Sequence, residues 1–268
     1  MNKINLQLEK IKKENRLGLM THIVIGYPTI KESLNLVKLM ARLGVDFVEL
    51  QIPFSDPMAD GPTIMKANKK SLDNGTRVRD SFRAMKELSR QVEIPLLFMG
   101  YFNVVLNYGV EKFCRDAEAA GASGLIFPDI PLEEEAEEHY IRHAKNNNLI
   151  PIRLLSPAST AERAKKNAKV AGGFLYYVGR KGTTGVKSSL DRSLNKHLKE
   201  IKRYIHIPIA VGFGISKKEH LQSLKGKAEL AVIGSACLNA YTEARAGQGL
   251  KAVEKFLGAL IAETKIKK

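Results

Sequence analysis

Short apolar runs alternate with amphipathic helical stretches eight times along this chain, and that rhythm limits the folds open to it. The runs are "GLMTHIVIGYP", "DFVELQI", "IPLLFMGYF", "SGLIFPDIP", "LIPIRLLSP", "GGFLYYVGR", "HIPIAVGFG" and "AELAVIGSA". Each is short and bounded by Gly, Pro or Asp, as buried strands are. The intervals between them are long enough for a helical crossover, which makes neighbouring strands parallel. Eight such units in 268 residues predict an α/β fold, a closed (β/α)8 TIM barrel, as a single domain over 1–268. A further helix, from about Lys3 to Asn15, precedes the first strand and is expected to cover the barrel floor. The interval Pro62 to Gln91 reads as a broken helical region. "YGVEKFCRDAEAAG" and "LEEEAEEHYIRHAKNNN" each read as one helix. The alternative is an open doubly wound sheet, which the missing GxGxxG after the first strand weakens in its dinucleotide-binding form.

No apolar stretch is long enough to span a membrane. The opening "MNKINLQLEKIKKEN" lacks the apolar centre and cleavage site of a signal peptide. The two cysteines, Cys114 and Cys237, form no CxxC pair and read as reduced and buried, in a cytoplasmic protein. The net charge of +15 comes from Lys and Arg spread over nearly every helical stretch. With no basic stripe interleaved with aromatics, nucleic-acid binding is disfavoured, and the charge reads as solvated faces that help to attract phosphorylated ligands. The histidines do not cluster with acids at metal-ligand spacing, and there is no GxSxG or P-loop.

In a barrel of this kind the active site lies at the C-terminal ends of the strands. Alternation along "DFVELQI" puts Val48, Leu50 and Ile52 on one face and Phe47, Glu49 and Gln51 on the other. The apolar set suits the helices, so Glu49 points into the barrel near its mouth. A carboxylate there is desolvated, which favours its protonated form and suits it to general acid–base work. The competing reading is a Glu paired with a buried base, but the neighbouring strands offer no Lys or Arg. By the same alternation His22 shares the inward face of strand one with Met20 and Val24, where it can stack on a ligand, bond to Glu49, or be a satisfied core histidine. Asp60 follows eleven residues after Glu49 in "SDPMADGP", and on pattern alone it is either functional or a turn residue. The ends of strands seven and eight, "VGFGIS" and "VIGSA", are glycine-rich. Backbone N–H groups at Gly214, Gly234 and Ser235 there suit a phosphate, although tight turns alone explain the glycines as well. The loop "GRKGTTGVKSS" (179–189) reads either as a lid or as a plain solvent loop.

These segments, taken together and in order, resemble the tryptophan synthase alpha subunit family. "ELQIPFSDPMADGPTI" resembles its signature segment. "GYP", "MGYFN", "FPDIP", "LLSPAST", "YYVGRKGTTG", "VGFGIS" and "GSA" extend the likeness over nearly the whole chain. The resemblance implies a retro-aldol cleavage of indole-3-glycerol phosphate to indole and glyceraldehyde 3-phosphate. It implies Glu49 as general acid and base, and Asp60 as acceptor of the indole N–H. It implies Gly185, Gly214, Gly234 and Ser235 as phosphate contacts, and Tyr101, Ile126, Tyr176 and Phe213, with His22, as pocket residues. It places Arg180 and Thr184 in the lid. It implies no cofactor in this chain, and a beta subunit carrying pyridoxal phosphate as partner in a tetramer of two alpha and two beta chains. The loops around Asp56 and Asn103 match parts of that contact surface.

The chain also departs from the family pattern. Gln51 stands where Gly is usual, His22 where an aromatic residue is usual, Val104 and Leu132 where Pro is usual, and Gly179 in place of Ser. The rival readings are a catalytically weak activator of the beta subunit and another phosphosugar-handling barrel, a lyase or isomerase. The strands show no lysine in the barrel mouth, which counts against a Schiff-base aldolase.

Overall fold

The computed structural model describes residues 1–179, 192–212 and 214–264. Eight parallel strands close into a barrel in chain order, β1 pairing with both β2 and β8. They are β1 (Gly18–Val24), β2 (Phe47–Gln51), β3 (Leu96–Met99), β4 (Gly124–Ile126), β5 (Ile150–Leu155), β6 (Leu175–Val178), β7 (Ile209–Gly212) and β8 (Leu230–Ile233). The helices in chain order are α1 (Lys3–Lys13), α2 (Ile30–Leu43), α3 (Pro62–Asp73), α4 (Val78–Leu88), α5 (Phe102–Tyr108), α6 (Val110–Ala119), α7 (Glu135–Glu138) and α8 (Tyr140–Asn146). They continue with α9 (Ala161–Val170), α10 (Arg192–Ile201), α11 (Lys218–Leu224), α12 (Ser235–Thr242) and α13 (Gly249–Ile261).

Local chemistry sets many of these limits. Thr29 caps α2 by accepting from Glu32 N, and Gly44, in the left-handed region at φ 94°, ends it. Gly61 and Pro62 start α3, whose first turn needs no proline N–H. The expected Glu-rich helix after β4 is in fact a 3-10 turn (Leu132–Glu134), then α7 and α8, broken at His139 with φ 51°. The Glu135 carboxylate accepts from Ile141 N and Arg142 N and so caps the second piece. The expected helix after β3 is likewise two helices, α5 and α6, hinged at Gly109.

Two apolar layers follow from strand alternation. Outward residues such as Leu19, Val48, Leu50, Phe98 and Leu125 pack against the helices. Inward residues such as Met20, Phe47, Leu97, Ile126, Ile152 and Phe174 fill the barrel, joined by Ile4, Leu8 and Ile11 of α1. Helix α1 therefore plugs the floor, as expected. It fits because glycine lines its seat: a Cβ on Gly18 would come within 2.6 Å of Ile11, and one on Gly124 within 2.8 Å of Ile4. Burying residues the size of Ile4 and Ile11 stabilises by about 1.5–3 kcal/mol each. Among the described residues, no helix is long and apolar enough to cross a membrane. Cys114 and Cys237 are free thiols, both buried.

Candidate active site

With the floor plugged, the open end of the barrel is the C-terminal one, and the polar side chains of β1 and β2 meet there. The register sets His22 beside Glu49 and Val24 beside Gln51. Glu49 and Gln51 are fully buried, and His22 is 3% exposed. His22 Nδ1 lies 3.3 Å from Glu49 Oε2, and His22 Nε2 lies 2.9 Å from Gln51 Oε1. Gln51 Nε2 donates to Asp60 Oδ2 at 2.7 Å. The hydroxyl of Tyr101 donates to the same oxygen at 3.1 Å and accepts from Ala59 N at 2.9 Å. One hydrogen-bonded chain therefore runs from Glu49 through His22 and Gln51 to Asp60 and Tyr101.

The loop from Ile52 to Gly61 is built to bring Asp60 back over the mouth. Asp60 N donates to Pro57 O and closes a turn. Phe54 N donates to Asn68 on α3, and the Phe54 ring stacks on Tyr101 at 5.2 Å. Asp60 thus stands just before the N-terminus of α3, where a helix favours negative charge.

The two carboxylates are satisfied differently. Asp60 Oδ2 takes two donors, from the Gln51 amide and the Tyr101 hydroxyl. Glu49 Oε1 has no hydrogen-bond partner among the described residues. An orphaned buried acceptor costs about 1–3 kcal/mol. Tyr176 on β6 faces Glu49, and its ring fits because β7 ends in Gly212, where a Cβ would lie 2.9 Å from the hydroxyl. Burial, then the Glu49 charge, push the Tyr176 phenol well up, and burial and Asp60 do the same for Tyr101. Both phenols are neutral donors at ordinary pH. For His22, burial lowers the pKa, but the hydrogen bond and charge of Glu49, with help from Asp60 and Gln51, outweigh it and raise the value above 6.5.

At the far side of the mouth, Gly214 has φ 58° and Gly234 caps α12, with Ser235 as its first residue. The N–H groups of that first helical turn have no intrahelical acceptors and face the end of β8. A Cβ on Gly234 would stand 3.6 Å from His22 Cβ, so the start of α12 adjoins the carboxylate cluster.

Known proteins resemble this chain over nearly its whole length. The sequence profile of the tryptophan synthase alpha chain family matches residues 8–265. The chain belongs to the tryptophan synthase alpha chain family. A relative of that name from Desulfotalea psychrophila is 45% identical over 95% of this chain and 100% of its own length. The tryptophan synthase of Saccharomyces cerevisiae is 39% identical over 96% of this chain, which matches 36% of that longer protein. Among solved structures, Mycobacterium tuberculosis tryptophan synthase superposes with a TM-score of 0.91 at 30% identity, covering 99% of both chains. The chain is accordingly a lyase of the tryptophan synthase type.

Of the site residues expected for this alpha-family chain, the structure brings Glu49, Asp60, His22, Tyr101 and Tyr176 together. Ile126 lies in the inward apolar layer. Gly214, Gly234 and Ser235 lie at the ends of β7 and β8 as expected. Arg180, Thr184, Gly185 and Phe213, and most of the 179–189 lid, lie outside the described residues. The sequence reading missed Gly212, which gives Tyr176 its room; alternation along β6 and β7 was the available signal, since the two sit in register one step apart. A separate cavity of about 310 Å³ lies outside the barrel wall, between the loop after β4 and α9, lined by Asp129, Arg153 and Arg163 among others. Arg153 points away from the barrel and is tied to Asn167 and to Ile130 O, so this cavity is no part of the mouth. Among the described residues, no group of three His, Cys, Asp or Glu side chains is placed to hold a metal ion.

Proposed function

We propose that this chain cleaves indole-3-glycerol phosphate into indole and glyceraldehyde 3-phosphate. The observation that carries the reading is Glu49, fully buried at the mouth of an alpha-family barrel with one carboxyl oxygen unpartnered. Protonated Glu49 places its proton on the indole C3, and positive charge grows on the ring nitrogen. The Asp60 carboxylate accepts the N–H and stabilises that charge electrostatically. The Glu49 carboxylate then takes the proton of the glycerol hydroxyl next to the breaking bond. The C–C bond gives its electrons to the ring, the aldehyde forms, and Glu49 is again protonated. Neutral Tyr176 orients the carboxyl from the facing strand. The N–H groups at Gly234 and Ser235, with Gly214, hold the phosphate, joined by Gly185. Ile126 and Phe213 wall the indole pocket, and Arg180 and Thr184 belong to the covering loop.

The same reading gives the chain a beta-subunit partner, in a tetramer of two alpha and two beta chains. Pyridoxal phosphate belongs to the beta chain, and this chain uses no cofactor. Exposed apolar side chains around the mouth support a docking face there: Met58 in the loop after β2, 89% exposed, and Leu106 on α5, 42% exposed. They flank Asp56 and Asn103. Cytoplasmic residence follows from the substrate's place in amino-acid biosynthesis.

The test is release of indole from indole-3-glycerol phosphate by the purified chain, with and without a cognate beta subunit. Slow release alone and faster release with the partner are expected. No indole under either condition sinks the reading and leaves a non-catalytic activator. For the phosphate corner, Ser235→Asp sets a charge against a dianion, and calorimetry with glycerol phosphate is expected to show binding severely weakened in a chain of normal circular dichroism.

A further inference from the structure

His22 and Gln51 depart from the family pattern separately in sequence, but in the structure they are bonded to each other and to one carboxylate each. We propose that these two are positioning residues that join Glu49 and Asp60 into one directed hydrogen-bond chain and hold a single proton, shared between His22 Nδ1 and Glu49 Oε2, that Glu49 passes to the substrate. The role in turnover rests on the function proposed above; the proton arrangement itself does not.

The direction of the chain follows from what each atom can do. Tyr101 OH accepts from Ala59 N, so its own hydrogen goes to Asp60 Oδ2. Gln51 offers a second hydrogen to the same oxygen, and two donors on one oxygen require it to be an acceptor. A carboxylate cannot donate, so the Gln51 amide must present its nitrogen to Asp60 and its oxygen to His22. That oxygen is 2.9 Å from His22 Nε2, and a carbonyl oxygen only accepts. His22 Nε2 therefore carries a hydrogen in every protonation state. The fixed tautomer leaves Nδ1 as the variable atom, facing Glu49 Oε2 at 3.3 Å. Two forms of the pair are then isomers with the same proton count: imidazolium with carboxylate, and neutral imidazole with carboxyl. The proton moves from Nδ1 to Oε2 with no change in net charge and no water, and reprotonation of Glu49 after turnover reverses it. Glu49 Oε1 is buried and has no hydrogen-bond partner among the described residues.

Among the described residues, the groups facing His22 come from few elements. They are Glu49 and Gln51 on β2, Asp60 in the following loop, with Tyr101 behind it, and Tyr176 across the barrel against Glu49. From β8 the neighbour is Gly234, and Ile64 of α3 closes the same corner. The two anions act to keep the shared proton in the site, and both phenols are neutral.

Nitrogen NMR of the full chain with 15N-labelled histidine tests the arrangement without turnover. Neutral His22 is expected as the Nε2–H tautomer. In Glu49→Gln its titration midpoint is expected to fall by about 1–3 pH units, because the partner charge is lost while burial remains. In Gln51→Leu, of similar volume, the tautomer preference is expected to be lost. A neutral Nδ1–H tautomer in the wild type, or a midpoint unmoved in Glu49→Gln, overturns the proposal. The second arm is the pH profile of kcat/KM. The shared proton leaves as pH rises, so the alkaline limb of the wild type reports the pair, and His22→Phe is expected to displace that limb. A purely packing role for His22 changes the height of the profile and not its limb, so superimposable limbs overturn the proposal as well. Failure of indole release in the wild type sinks the function proposed above and leaves the NMR result standing, so the two failures are distinguishable.

Discussion

Asp46 and Glu49 are three residues apart, both essentially inaccessible to water, and serve opposite ends of the same barrel. Asp46 enters β2 from the floor. Its carboxylate takes Arg16 through two N–H groups at 2.7 Å, the backbone N–H of Leu19 at 2.8 Å, and the amide of Gln7 on α1. In return the Asp46 carboxylate, against a lesser opposing effect of burial, holds the Arg16 guanidinium above its usual range. Glu49, at the mouth, has a long contact to His22, faces the Tyr176 hydroxyl, and keeps one oxygen, Oε1, without a hydrogen-bond partner among the described residues. A buried acid whose lone pairs are all answered by the fold belongs to the fold. A buried acid left partly unanswered keeps bonding capacity for a reacting molecule. Burial does not distinguish these two carboxylates; the donors around each do.

That contrast can be broken by experiment. The largest effect is expected from Glu49→Gln, which keeps size and loses the proton: indole release should drop by about 10²–10⁴-fold with little change in the urea midpoint. Near wild-type release would remove Glu49 from the chemistry. Asp46→Ala should do the reverse. It leaves Arg16, whose side chain is 14% exposed, with Glu14 as its remaining carboxylate partner, and should cost about 3 kcal/mol in urea unfolding while the folded fraction keeps its kcat. A smaller loss, about 1–3 kcal/mol, is expected for Asp46→Asn, which keeps an acceptor and loses the charge. If either Asp46 variant lowers kcat of the folded protein as far as Glu49→Gln does, the contrast between the two acids is wrong.

The smallest effect sharpens the comparison through pH. The folded His22 pKa is raised above 6.5, so the folded chain binds that proton more tightly than the unfolded one. The resulting stabilisation is fully present below pH 6.5 and is lost as pH rises through the raised value. The difference in urea midpoint between wild type and His22→Phe should therefore shrink as pH rises over that window. A difference that is constant with pH would show that His22 contributes packing only.

Much of this was legible from spacing. Eight apolar runs at crossover distance gave the barrel, and alternation along β2 faced Glu49 inward, because a buried parallel strand leaves side chains only two directions. Breaks within helices were harder to see. His139 takes a left-handed backbone with no Gly or Pro to mark it, and the caps of α8 come from Glu135, four residues upstream. The contact between Gln51 and Asp60 was also hidden, since the turn on Pro57 that carries Asp60 back over the mouth is a loop path and has no period. The departures at positions 22 and 51 were visible one at a time; only the strand register shows that they bond to each other. The full ring of donors around Asp46, from α1, the following turn and β1, was equally out of reach of any local pattern.

Helix α1 has a consequence for the order in which the chain is made. Its side chains seat against Gly18 and Leu230, and against Gly124 and Gly173, while Asn2 reaches the carbonyls of Ser123 and Asn148. Apart from Gly18, those partners lie between about 120 and 220 residues further along, so on the ribosome the plug leaves the exit tunnel well before its socket is complete. Until β8 emerges, the seat of Ile4, Leu8 and Ile11 lacks Leu230 and is incomplete. Release of the last strand lets β1 and β8 pair and the plug dock together, so closing the wall and sealing the floor become a single late event in the birth of the molecule.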